Sequence, residues 1–230
     1  MENPPAIQAT DLRKTFRDFW RRPRVEAVRG ISFAVPAGQV FGLLGPNGSG
    51  KSTTIKMILG LLFPTAGRLD VLGDAPRAVA VKSRIGYLPE ESYLYPHLTP
   101  AETLAFYARL FRLPRAVARD RIEQLLEMIG LAHARNRPVG EFSKGMARRI
   151  GLAQALLNDP DLVILDEPTA GLDPQGTRQV KDLILALAAR GKTVLLTSHL
   201  LADVEDVCAQ VAILFNGRLL AQGTLDAGLL

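Results

Sequence analysis

The sequence predicts an α/β fold: a parallel sheet core, a small antiparallel edge sheet and an inserted helical subdomain. Three observations predict it. Short apolar runs bounded by Gly, Asp, Pro or Ser recur at 39–44, 162–165, 193–196 and 211–215, as expected of strands covered on both faces. Helical patterns lie between several of them, and such alternation argues for a parallel sheet. The stretch from about 92 to 158 holds helices with no strand between them, which reads as a lobe inserted into the core. A chain of 230 residues with 47% hydrophobic content buries enough surface for one large domain. That domain is expected over 1–230, with its core at about 1–91 and 159–230.

Taken in order, the first 35 residues alternate loosely, as do 68–72 and 218–222, and together they suggest the antiparallel edge sheet. The run at 39–44 leads into a helix that opens near Lys51. Thr99-Pro100-Ala101-Glu102 has the form of a capping box, and apolar Leu104, Tyr107, Ala108 and Phe111 follow at helical spacing. Leu113-Pro114 ends that helix. A second pattern runs through Val117, Ile122, Leu125, Leu126 and Ile129. Beyond the strand at 162–165, Asp173-Pro174 supplies a cap and a proline at the first helical position, opening a helix over 174–190.

Composition narrows the class. Charged residues at 22%, with 20 Gly and 15 Pro, exclude a disordered, collagenous or coiled-coil chain. The longest uncharged apolar stretches, 57–67 and 207–217, fall short of the roughly 20 residues of a membrane span. Met-Glu-Asn-Pro-Pro at the N-terminus lacks the basic start and apolar run of a leader peptide. The single Cys208 has apolar neighbours and reads as a core thiol. A soluble, cytoplasmic chain is expected. Net charge is +5, concentrated where seven basic residues (Arg13, Lys14, Arg17, Arg21, Arg22, Arg24, Arg29) interleave with Phe16, Phe19 and Trp20. Composition leaves three readings of that segment open: a solvated loop, a nucleic-acid contact and a lipid-surface contact.

Two motifs carry chemistry. Gly45-Pro46-Asn47-Gly48-Ser49-Gly50-Lys51-Ser52, with Thr53 after it, fits the P-loop pattern G-x-x-x-x-G-K-[ST] between a strand and a helix. Glycines let the backbone wind so that its N–H groups converge on phosphate oxygens, and the new helix points its positive end there. Lys51 is placed to neutralise β- and γ-phosphates and the Ser52 hydroxyl to sit on Mg²⁺, so ATP and Mg²⁺ are the expected cofactors. The strand at Leu162–Leu165 ends in Asp166-Glu167. Strand ends of a parallel sheet face the ligand crevice, which puts both acids beside the phosphates. Asp166 is placed to hold Mg²⁺ through water, and Glu167 to orient and deprotonate an attacking water.

With these motifs in place, the chain resembles the nucleotide-binding subunit of an ATP-binding cassette (ABC) transporter over nearly all its length. Phe142-Ser143-Lys144-Gly145-Met146 stands where the family has its Leu-Ser-Gly-Gly-Gln signature, matching at Ser143 and Gly145. Ala170-Gly-Leu-Asp173 resembles the D-loop, and Thr197-Ser-His199 the switch whose histidine touches the γ-phosphate. Phe16 resembles the aromatic that stacks on adenine. Ile85-Gly-Tyr-Leu-Pro-Glu90 resembles the Q-loop, with Glu90 where most relatives have Gln and where a carboxylate would attract Mg²⁺. This Leu-Pro-Glu form, with Ser-Lys-Gly-Met further on, is similar to bacterial exporter-type subunits. Members commonly continue beyond the point that matches Gly223.

The resemblance implies catalytic roles for Glu167, His199 and Lys51, and a partner subunit, identical or related, that helps enclose two MgATP. It also implies separate transmembrane permease subunits holding the chain at the inner membrane face. The alternative is an ABC-type ATPase acting on nucleic acid or ribosomes, supported by the basic segment. Such proteins usually carry long coiled coils or duplicated cassettes, which this length disfavours. A P-loop kinase leaves the signature segment unexplained, and a GTPase lacks its Asn-Lys-x-Asp guanine reader.

Overall fold

Six strands form the main sheet in the order β5-β6-β7-β3-β8-β9, and three form a second in the order β2-β1-β4. The computed structural model describes residues 4–20 and 22–225; Arg21 of the basic segment and residues 1–3 of the N-terminus lie outside them. The strands are β1 (Ile7–Arg17), β2 (Pro23–Val35), β3 (Val40–Leu44), β4 (Ala66–Val71), β5 (Ile85–Leu88), β6 (Leu162–Leu165), β7 (Thr193–Ser198), β8 (Gln210–Phe215) and β9 (Arg218–Thr224). The helices are α1 (Lys51–Ile58), α2 (Val79–Lys82), α3 (Pro100–Leu110), α4 (Arg115–Met128), α5 (Lys144–Leu156) and α6 (Pro174–Ala189).

Strands β5, β6, β7, β3 and β8 are parallel, in a register that pairs Leu88 with Leu165, Leu165 with Leu196, and Leu44 with both Ser198 and Ile213. Their C-terminal ends therefore share one edge. Alternate residues feed two cores: Val163 and Leu165 pack with α3–α6, whereas Leu162 and Ile164 pack with α1 and the three-stranded sheet. Burial on both faces is why these strands read as unbroken apolar runs.

The helical stretch holds α3, α4 and α5 between β5 and β6. Thr99 forms both halves of its capping box with Glu102. Two expectations need correction. The segment 218–222 belongs to β9, which pairs with β8 in the main sheet rather than with the edge sheet. Asn216-Gly217, both at positive φ, supplies a two-residue hairpin turn, and that local pairing wins. Val117 is 53% exposed, so the buried apolar face of α4 is Ile122, Leu125 and Leu126, with Ala118 and Met128 partly buried against the same core. Cys208 is buried, and that burial pushes its thiol up to about 12, an inert core group.

Candidate functional site

The P-loop leaves β3 and enters α1 with Gly45, Gly48 and Gly50 all at positive φ. At Gly45 a Cβ would collide with the Leu214 carbonyl, and at Gly50 it would come within 2.7 Å of the Ala27 carbonyl. Glycine is required at both positions by conformation and by space. The loop borders a cleft of about 440 Å³ lined by Pro46 to Thr53, Phe16, Glu26, Arg29 and Asn216-Gly217. Ser49 Oγ is buried there with no hydrogen-bond partner among the described residues. A buried hydroxyl of this kind, among backbone N–H groups at a helix N-terminus, suits phosphate oxygens. Phe16 is thus brought to the P-loop cleft, with the Lys14 ammonium 5.5 Å from its ring centre.

At the same sheet edge the acids come together. Lys51 is buried; its Nζ donates to the Gly45 carbonyl at 2.6 Å and lies 3.6 Å from Glu167 Oε1. Glu167 Oε2 lies 2.9 Å from His199 Nδ1. Asp166 Oδ1 accepts from Thr197 Oγ1 at 2.6 Å, and the same Thr197 oxygen accepts from the Glu167 N–H at 2.9 Å. One hydroxyl at the end of β7 therefore aligns both acids at the end of β6. Glu167 has φ +48°, a left-handed conformation costing a non-glycine residue about 1–3 kcal/mol. Such strain at a carboxylate elbow is sustained only by surrounding contacts. Tyr87, beside these groups, has its phenol pushed up to about 12, by burial first and by the Asp166 charge second.

One of those contacts comes from a residue that the sequence reading missed. Arg148 of α5 is buried, and its guanidinium donates to five carbonyls: Pro89, Glu90, Asp166, Glu167 and Pro168. Burial pulls its pKa down, opposed by the Asp166 and Glu90 carboxylates, but an arginine stays charged. The cation thus bridges the loop after β5 and the loop after β6. In the sequence Thr197 is only one residue of the Thr197-Ser-His199 segment, and nothing in that pattern marks it as the hinge between two acids.

Ser143, Gly145 and Asp173 lie elsewhere. Ser143 caps α5, accepting from the Met146 N–H at 3.2 Å, and Asp173 caps α6, accepting from the Gly176 N–H at 2.9 Å. Gly145 faces Leu172, and Lys144 packs across Gly171, so the segment at 143–145 and the loop at 170–173 form one surface. None of these residues lines the P-loop cleft. Glu90 is exposed, and among the described residues it is engaged through its carbonyl, by Arg148 at 2.9 Å, not through its carboxylate.

This arrangement of strand, glycine loop and lysine beside two strand-end acids matches a known family. The ABC transporter model matches residues 28–170, more than half the chain. The chain belongs to the ABC transporter ATP-binding family. It is 45% identical to an uncharacterized ABC transporter ATP-binding protein of Nostoc sp., over 97% of this chain and 68% of that one. It is 41% identical to the Nod factor export ATP-binding protein I of Ralstonia nicotianae, over 95% of this chain and 67% of the other. A solved ATP-binding subunit of an ABC transporter superposes with a TM-score of 0.83 at 33% identity, over 96% of this chain and 90% of that one. The chain spans about two thirds of the length of the full-length relatives it matches. It is an ATP-binding ABC subunit with the ATPase activity of its family. Among the described residues no helix is long and apolar enough to cross a membrane.

Proposed function

We propose that the chain energises an exporter, with two such subunits closing on two MgATP. The observation that carries this reading is the separation within one chain of the P-loop cleft from the surface of Ser143, Gly145 and Asp173. Each subunit then supplies half of each site. The α5 N-terminus, capped by Ser143, meets the γ-phosphate of the nucleotide held by the other subunit. Glu167 takes the proton of the attacking water, His199 fixes the orientation of that carboxylate, and Lys51 offsets phosphate charge. Ser52 and Asp166 are hard oxygen donors of the kind Mg²⁺ takes alongside phosphate and water, and the metal would neutralise charge on the β- and γ-phosphates. The whole chain acts as one nucleotide-binding domain. Residues 92–158 form its helical subdomain, and exposed Tyr93, Tyr95 and Phe106 give it an aromatic face for a separate permease. That permease would hold the chain at the cytoplasmic face of the membrane. Export is favoured by likeness to a subunit named for export.

Ser143→Arg tests the sandwich. ATP binding by the single subunit is expected to persist, because Ser143 is remote from its own P-loop. ATP-driven dimerisation, read by light scattering in a Glu167→Gln background with MgATP, is expected to vanish. Dimers that form as readily with the arginine would remove Ser143 from the interface.

Glu90 takes part in the metal site on the same reading. A carboxylate about 5 Å from a phosphate oxygen, at an effective dielectric near 20, is repelled by roughly 3 kcal/mol. Bound Mg²⁺ offsets that repulsion. Glu90→Gln is therefore expected to tighten ATP binding more in EDTA than in excess Mg²⁺. Equal changes under both titrations would place Glu90 away from the metal.

A further inference from the structure

The apex of the β1–β2 hairpin presents a surface that the nucleotide chemistry does not use. Its turn is closed twice: the Asp18 N–H donates to the Arg22 carbonyl at 2.9 Å, and the Arg22 N–H donates to Asp18 Oδ1 at 2.8 Å. This turn displays Phe19 and Trp20 at 90% and 72% exposure, their rings edge to face with centroids 5.2 Å apart. Single exposed apolar residues are common on any surface, but two adjacent large aromatics at a pinned apex serve no packing purpose in this chain. Neither lines the P-loop cleft, where Phe16 stands. Arg17, Arg22 and Arg24 are exposed beside them and make no ion pair among the described residues. Of the acids closest by, Asp18 is engaged by the turn and Glu26 pairs with Arg29 at 3.7 Å.

We propose that this apex docks on an anionic lipid surface, with Phe19 and Trp20 entering the boundary between headgroups and acyl chains and Arg17, Arg22 and Arg24 meeting lipid phosphates. Aromatic rings, tryptophan above all, settle at that boundary. Arginine's planar fork pairs with phosphate oxygens, and three cations without an ion pair among the described residues complement an anionic bilayer. A strand of nucleic acid fits less well. Bases stack on open ring faces, and in this edge-to-face pair at 84° the edge of one ring covers a face of the other. Two aromatics and three arginines give a reversible contact, of a strength that adds to attachment made elsewhere rather than replacing it. The docking does not depend on the ATP sandwich, and its test uses no nucleotide turnover.

Trp20 is the only tryptophan in the chain, so intrinsic fluorescence reports the apex directly. The full chain is titrated with vesicles of phosphatidylglycerol and, separately, of phosphatidylcholine. With phosphatidylglycerol, Trp20 emission is expected to move to shorter wavelength and to become shielded from acrylamide, and both effects should fade at high salt. Phosphatidylcholine should produce little change. Each arginine at an anionic surface is worth about fivefold in partitioning, so Arg22→Gln with Arg24→Gln should weaken binding roughly thirtyfold. Phe19→Ser keeps the reporter and should also weaken it. An emission spectrum indifferent to phosphatidylglycerol, or vesicle binding indifferent to these substitutions, would overturn the proposal. Quenching of Trp20 by a single-stranded oligonucleotide without any vesicle response would reassign the apex to nucleic acid.

Discussion

Glu167→Gln is expected to slow ATP hydrolysis by about two to four orders of magnitude, the usual worth of a positioned base, while ATP still binds. The argument is local. Glu167 Oε2 lies 2.9 Å from His199 Nδ1, and Oε1 lies 3.6 Å from Lys51 Nζ, so the carboxylate is held by a group on either side. An amide of the same shape occupies the same space and keeps the buried elbow packed. What it loses is the ability to take a proton. Lys51 also loses a counter-charge, but the Gly45 carbonyl at 2.6 Å still accepts from it, so the P-loop cation stays in place. Because closure precedes cleavage in the proposed cycle, the variant should accumulate as a nucleotide-bound dimer. Phosphate release, together with equilibrium binding of a fluorescent ATP analogue, separates the two effects. Turnover within tenfold of the parent would show that Glu167 is not the base.

Much of this site was legible because its chemistry is contiguous in sequence. The P-loop needs glycine at fixed places, since a Cβ at Gly45 or Gly50 meets a backbone carbonyl. Strands buried on both faces write unbroken apolar runs, which is why the run at Leu162–Leu165 has the same ends as the strand. Capping is equally local, and Thr99, Ser143 and Asp173 each sit at the helix start that their side chains suggest. Strand β5 has no signature in the sequence, because four residues interrupted by a glycine carry too little pattern. Alternation at 218–222 identifies a strand without naming its partner, so it cannot tell the main sheet from the edge sheet. The Asn216-Gly217 turn held that information. Val117 fits the apolar spacing of α4 yet is exposed, because periodicity treats any apolar residue as buried. Contacts across long sequence separations left no trace at all. Thr197 reaches Asp166 across 31 positions, and Arg148 reaches Pro89 across 59.

Arg148→Met is the second large effect, and it tests whether those long-range contacts matter to turnover. The guanidinium holds the carbonyls of Asp166, Glu167 and Pro168 on one loop and of Pro89 and Glu90 on another. Methionine fills similar space but donates nothing, so buried carbonyls lose a charged donor. Leaving a buried carbonyl without its donor costs about 1–3 kcal/mol, and the urea midpoint should fall by at least that equivalent. A second consequence concerns rate. Glu167 sits at φ +48° with its N–H held by Thr197 and its carbonyl by Arg148, and removing one of the two lets the strained elbow relax. A displacement of about 1 Å at a catalytic group costs on the order of a hundredfold, so kcat should fall by roughly ten- to a hundredfold with little change in ATP affinity. Arg148 lies five residues beyond Ser143 in the sequence, on the helix that Ser143 caps, which ties the surface proposed to face a partner's nucleotide to the elbow of the chain's own Glu167. Arg148→Lys keeps the charge with a single nitrogen, which cannot span both loops, and should fall between the parent and methionine in both urea midpoint and kcat. The lysine variant also preserves the test if the methionine variant does not fold. A folded lysine or methionine variant with unchanged kcat would make Arg148 a purely structural residue. A parallel loss of kcat and ATP affinity would point instead to general loosening of the site.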